Sequence, residues 1–246
     1  MKHPFIAAAA LALGVASGAR ANPYEDFKNQ VSATLIEPFA KDLGGIIGST
    51  DFHSARVPGV PGFDVGVAAS VQFEPAAENL ALKNAGVEEF GLPMVRAEAG
   101  LPFGFSVFLR GIGGGGASLV GGGARYQIYK SGLLLAIPDV AVTAGYDKLG
   151  HDVMDVTHFG GSVQASWNIP IIKPFVGVGF DSTKVEVKQA VAVGVAGLEA
   201  TGKGSRMTVG ATLTLIPFTY LFGSYSILHG ESSAQGGLGV RFGGIL

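Results

Sequence analysis

Nine ionisable residues of this chain fall where neighbours two positions away are mostly small or polar and the flanking positions mostly apolar: Asp64, Arg96, Glu98, Arg110, Arg125, Asp147, Lys184, Glu186 and Arg241. Val95-Arg96-Ala97-Glu98-Ala99 shows the pattern plainly. Side chains alternate faces along an extended strand, so these charges would share an interior with Gly, Ser and Thr. Two chemistries fit such a set. One is a network of paired charges filling an interior; the other is a selective pore or ligand pocket. Both signs occur in similar numbers, which favours pairing, because selective pores are commonly ringed by one sign.

Other reactive groups are few. His53, His151, His158 and His229 are scattered, and no two stand at i, i+4, so no metal site is expected. His158 shares its phase with Ser162, Gln164 and Ser166, which raises nucleophile–base hydrolysis, yet no nucleophile motif surrounds the serines. Gly113 to Gly116 lacks the lysine and following helix of a phosphate loop and reads as a hairpin turn. The absence of cysteine excludes disulfides, thiol catalysis and cysteine-ligated metals. Neither a catalytic set nor a cofactor is expected.

The elements that must position these groups are strands. Phe63 to Phe73 reads FDVGVAASVQF, with Val65, Val67, Ala69 and Val71 on one face and Asp64, Gly66, Ala68 and Ser70 on the other. Similar alternation predicts ten strands, at 63–73, 93–101, 103–112, 117–129, 138–148, 155–168, 174–188, 204–216, 218–228 and 233–243. The seventh breaks phase, since Val176, Val178 and Phe180 share parity with Lys184, Glu186 and Lys188. Either a bulge near Asp181 or a strand outlasting the membrane resolves this.

Composition points to lipid. Charged residues make up 15% of the chain, below the roughly 25% of a typical soluble domain, and Gly contributes 39 of 246 residues. Mean hydropathy is positive. After the N-terminal segment, however, no apolar run is long enough for a spanning helix, which leaves an all-β, antiparallel transmembrane barrel of about ten strands. A soluble barrel would carry its charge outside and its apolar side chains within.

Proline recurs at Pro102, Pro138, Pro170 and Pro217, in every second connection, while the alternate connections are glycine-rich or polar and mostly longer. Short periplasmic turns alternating with longer extracellular loops account for this, and an even strand count puts both barrel termini in the periplasm. Tyr126, Tyr129, Tyr146, Trp167, Phe175, Phe218, Tyr220 and Tyr225 lie near strand ends and suit interfacial girdles.

Ahead of the barrel, residues 1–21 read as a signal peptide, with Lys2, an apolar run from Phe5 to Ala16, and small residues at Ala19 and Ala21. Without Lys2 and Arg20 the chain carries 15 basic against 19 acidic residues and no basic tract, so nucleic acid is not an expected partner. Residues 22–62 form a segment of different period. Tyr24, Phe27, Val31, Leu35, Phe39 and Leu43 mark the apolar stripe of one amphipathic helix broken at Pro38, or of two short ones, with Gly44-Gly45 able to end the run. That stripe can be buried in the barrel mouth as a plug, at the inner membrane-leaflet interface, or against a periplasmic partner. Residues 63–246 are the barrel.

With this segment in front and Gly237-Leu238-Gly239-Val240-Arg241-Phe242 near the end, the chain resembles small Gram-negative outer-membrane β-barrel proteins of an uncharacterised kind bearing an N-terminal amphipathic helix. The resemblance implies a bacterial outer-membrane location, the lipid bilayer and the barrel-assembly machinery as partners, and Phe242 as assembly signal. A fainter similarity is to larger transporters of hydrophobic compounds. The expected function is passage or holding of a small solute, hydrophobic ones included, with the helix as plug or gate. The alternative is a filled structural barrel that anchors a periplasmic helix or displays loops. A lipid-modifying hydrolase is a remote third.

Overall fold

The structure is a computed structural model that describes residues 34–51, 53–114, 116–131, 137–188 and 197–243. The signal-peptide segment 1–21 and Tyr24, Phe27 and Val31 of the expected helix lie outside these residues. Ten strands follow one another around a closed antiparallel barrel: β1 (Gly62–Gln72), β2 (Phe90–Gly100), β3 (Phe105–Gly114), β4 (Ala117–Tyr129), β5 (Asp139–His151), β6 (Met154–Ser166), β7 (Ile172–Val187), β8 (Glu199–Ile216), β9 (Thr219–Leu228) and β10 (Glu231–Gly243). Closure comes from β1 pairing with β10, where Asp64 faces Arg241 and Phe63 faces Phe242. The expected fold and strand count are observed.

Alternation assigns the faces. Phe63, Val65 and Val67 project outward in β1 and Phe105, Val107 and Leu109 in β3, whereas Asp64, Ser106, Phe108 and Arg110 are buried inside. β7 pairs with both neighbours without a register shift, so no bulge resets its phase. Asp181, Thr183, Val185 and Val187 point inward throughout. Lys184 and Glu186 are therefore on the outer face, not in the lumen as expected: the strand continues past its apolar band, Val176 to Phe180, and the outward positions beyond it carry charge.

At the end of the barrel that holds Gly62 and Gly243, here the terminal end, the connections are 101–104, 130–138, 167–171 and 217–218, each with its proline. The far end has longer connections only at 73–89 and 188–198; two residues each separate β3 from β4, β5 from β6 and β9 from β10. Glycine and polar residues expected in loops, such as Gly113-Gly114 and Lys148 to His151, instead prolong β3 and β5. Phe63, Phe103, Phe105, Tyr126, Tyr129, Phe218 and Phe242 are exposed around the terminal end. Phe175 and Tyr220, expected among the girdle, sit on the inward phase and are buried.

Inside the barrel lies helix α1 (Ile36–Ser49). Pro38 falls in its first turn, where the missing N–H removes no intrahelical bond, so the expected break does not occur within it. Nor do Gly44-Gly45 end it. They lie in the buried stretch from Asp42 to Ser49, in a helix that packs chiefly on β7 and β8 and is buried on nearly every side rather than along one stripe. A Cβ on Gly44 would come within 2.1 Å of Thr183 Oγ1, and one on Gly202 of β8 within 2.3 Å of the Lys41 backbone nitrogen. Glycine is thus required by close approach.

At the far end, Ile36, Phe39, Leu43, Ile46 and Ile47 of α1 join an apolar core. Its other members come from inward positions of the wall, Phe90, Leu92, Leu119, Leu149, Val156, Val185 and Leu228, and from Leu82 of the short helix α2 (Leu80–Asn84). Thr50, Asp51 and residues 53–61 then lie outside regular structure and lead down the lumen to β1. Because the Gly202 contact is with backbone, Gly202→Val should dislodge α1 while leaving the barrel closed. Limited proteolysis in detergent should show new cleavage within 34–61 and an unchanged barrel core; unchanged resistance would contradict the packing described.

Candidate functional site

The lower lumen is organised around the irregular segment that follows α1. Asp51 is fully buried, and its two carboxylate oxygens are held from opposite sectors of the wall. Arg110 of β3 donates through Nη1 to Oδ1 at 2.5 Å, and Arg206 of β8 donates through Nη2 to Oδ2. Each arginine is also fixed to a wall carboxylate. Arg110 makes a fork to Asp147 of β5, with Nε at 2.7 Å and Nη2 at 2.6 Å, and Arg206 Nη1 reaches Asp181 of β7.

Two further clusters lie toward the terminal end. Glu98 accepts from Arg125 Nη1 and Arg96 Nη2, each at 3.0 Å, and from Ser106 Oγ at 2.5 Å. Asp64 accepts from Arg241 Nε at 2.7 Å and Tyr220 Oη at 2.6 Å. The His53 ring stacks on Tyr220 with centroids 4.3 Å apart, and its Nε2 lies 3.6 Å from Asp64.

The wall also binds the segment's main chain. Arg96 donates to the Asp51 carbonyl, Arg125 to that of Ser54, and Thr212 Oγ1 to that of His53 at 2.6 Å. Ser166 Oγ accepts from the Ala55 amide at 3.0 Å, and Arg56 pairs with Asp139 at 3.1 Å. At the far end Asp42 of α1 is buried and takes donors from Gln72 (3.1 Å), Ala76 (3.0 Å) and Asn79 (2.7 Å), with His229 Nε2 at 2.6 Å.

Of the nine charged positions singled out in the sequence, Asp64, Glu98, Arg110, Arg125 and Asp147 are buried in the lumen, and Arg96 and Arg241 are partly buried there. Lys184 instead pairs with Glu199 on the outer face. Arg206 and Asp181 were missed, although Arg206 shares the inward parity of Thr208. Asp42, Asp51 and Arg56 belong to no strand pattern, and nothing in the sequence marks them. His158 lies 2.9 Å from Thr183 Oγ1 through Nδ1 and 3.6 Å from Asp181, and all three are buried beneath α1 rather than beside the serines of β6. A cavity of about 20 Å³ remains beside Thr50, His53 and Met94, the room of about one water.

Comparison with known proteins agrees with this architecture. The translocator domain of the autotransporter NalP from Neisseria meningitidis is similar at 12% identity and a TM-score of 0.50, over 86% of this chain and 99% of that one. The N-terminal β-barrel domain of Pseudomonas aeruginosa OprF is similar at 12% identity and a TM-score of 0.40, over 74% of this chain and 98% of that one. At 12% identity the likeness to the translocator domain is one of fold alone. No curated protein matches the sequence. A family model described as a family of unknown function (DUF6588) matches residues 80–242, from α2 through most of β10, and the chain belongs to that family.

Arg206→Met would leave Asp51 and Asp181 short of a partner in a buried site, a loss of about 3–5 kcal/mol. The temperature at which the folded band changes gel mobility in detergent should fall clearly. Lys184→Met, which removes the exposed pair with Glu199, should leave that temperature unchanged. Equal behaviour of the two variants would contradict the assignment of faces.

Proposed function

We propose that the protein is a bacterial outer-membrane barrel held closed by its own residues 36–61, and that a small solute passes, or enters the lumen, only when this plug is displaced. The outward apolar band, the exposed aromatic residues at the terminal end and the barrel fold support the membrane location. One observation carries the functional reading: wall arginines aim at the plug, through Asp51 and the main-chain carbonyls of Ile47, Asp51 and Ser54, rather than only at wall acids. A barrel filled solely for strength can meet its charges wall to wall. Here, moving the plug would uncover a polar lining in the lower lumen.

Passage requires that the plug move, and the chain offers a way to forbid it. Ser49 Oγ at the end of α1 donates to Ser70 Oγ of β1 at 2.6 Å, and the protein has no cysteine of its own. In the double variant Ser49→Cys/Ser70→Cys, oxidation should tether plug to wall. Planar-bilayer recordings should show openings under reducing conditions, none after oxidation, and recovery with dithiothreitol. If wild type and the reduced variant are equally silent, the barrel is a filled structural element that anchors or displays other parts of the chain.

A further inference from the structure

We propose that Arg110 and Arg206 form a carboxylate-binding clamp which Asp51 occupies at rest, and that the barrel's solute is an amphipathic carboxylate whose apolar chain takes the place of α1. This deepens the plug reading and rests on it.

The clamp is built before any ligand arrives. Arg110 is oriented by its two-bond fork to Asp147, and Arg206 by Asp181; these leave Nη1 of the first and Nη2 of the second converging across the lumen on one point. That point holds a carboxylate, one oxygen to each guanidinium. Guanidinium groups suit such planar, oriented recognition and stay charged when buried. Because the wall acids fix the arginines, withdrawing Asp51 leaves the geometry in place and removes only the anion.

The wall on the far side of the clamp is of opposite character. Leu92, Leu119, Leu149, Val156, Val185 and Leu228 point inward there and now enclose α1. The 14-residue helix is about 20 Å long at 1.5 Å per residue. Apart from Asp42, which Gln72 and the far-end loops bind, the inner part of the helix and Asp51 together present an apolar body with a carboxylate just beyond one end. A lumen that accommodates this shape is complementary to a long-chain carboxylate. It is less suited to a sugar, which would face the apolar zone, or to an organic cation, which would meet the two arginines.

The test measures binding of radiolabelled dodecanoate to the full chain in detergent, with folding of every variant checked by heat-modifiable mobility. Asp51→Ala removes the competing carboxylate and should tighten binding by about tenfold or more over wild type. Asp51→Asn, which keeps the shape, should show a gain in the same direction if the alanine variant does not fold. Adding Arg206→Met should abolish the gain, and neither dodecanol nor dodecyltrimethylammonium should show it. An equal gain for dodecanol would mean an apolar cavity alone and overturn the clamp. So would no gain in either Asp51 variant, while leaving the disulfide-locking result to judge the plug. Tighter dodecanoate binding without openings in the reduced cysteine variant would keep the clamp and refute passage.

Discussion

The structure depends on one constraint: a stretch of chain without regular structure lies inside a membrane-spanning barrel, away from bulk water, and its backbone polar groups need partners. Irregular backbone at membrane depth persists only where protein or a watery cavity satisfies it. The segment after α1 meets that condition through side chains of the wall, with Arg96, Thr212 and Arg125 donating to the carbonyls of Asp51, His53 and Ser54 and Ser166 accepting from the Ala55 amide. Asp51 brings a carboxylate into this arrangement, and its two arginines join β3 and β5 to β7 and β8 across the lumen.

The same constraint explains why the lumen is divided. α1 satisfies most of its own peptide groups, so much of the wall around it can be apolar, as it is at Phe90, Leu92, Val185 and Leu228. Where the helix stops at Ser49 the peptide groups need outside partners, and the wall turns to Arg, Ser, Thr and Asp at that level. The polarity of many inward wall positions thus follows the secondary structure of the segment they face, although His158, Thr183 and Gln72 are polar positions against α1. Asp42 is the acidic exception within the buried part of α1, and its partners, Gln72 of β1 and Ala76, Asn79 and His229 beyond the strands, tie the far-end loops to the helix.

This dependence also sets what could be read from the sequence. Strand number and most of the inward and outward phases were legible because a residue in a barrel wall has only two directions, and Arg96, Glu98, Arg110 and Arg125 are inward for that reason. The rule fails where the outer surface stops being lipid. Lys184 and Glu186 lie beyond the apolar band of β7, where charge no longer signals the lumen. Phe175 and Tyr220 show the converse, since an aromatic near a strand end belongs to a girdle only if its phase is outward. The inner segment had no such code. Its twelve residues from Thr50 to Pro61 have no period, so Asp51 and His53 were indistinguishable from loop residues, although they complete the lattice that the wall begins.

The charged half of the lumen calls for an explanation beyond stability. Buried ion pairs recover their desolvation cost only when well paired, and apolar side chains of similar volume are often as stabilising. The far half proves that this chain can fill its lumen with leucine, valine and isoleucine around a helix. Had the helix simply continued toward the terminal end, an apolar wall could have followed it, and five inward arginines would have been unnecessary. The chain instead unwinds halfway and is held by arginine, serine and threonine side chains of the wall. Apolar packing of the whole segment would give a lumen that is only filled; the observed division gives one whose lower half remains polar and bondable if the segment leaves it.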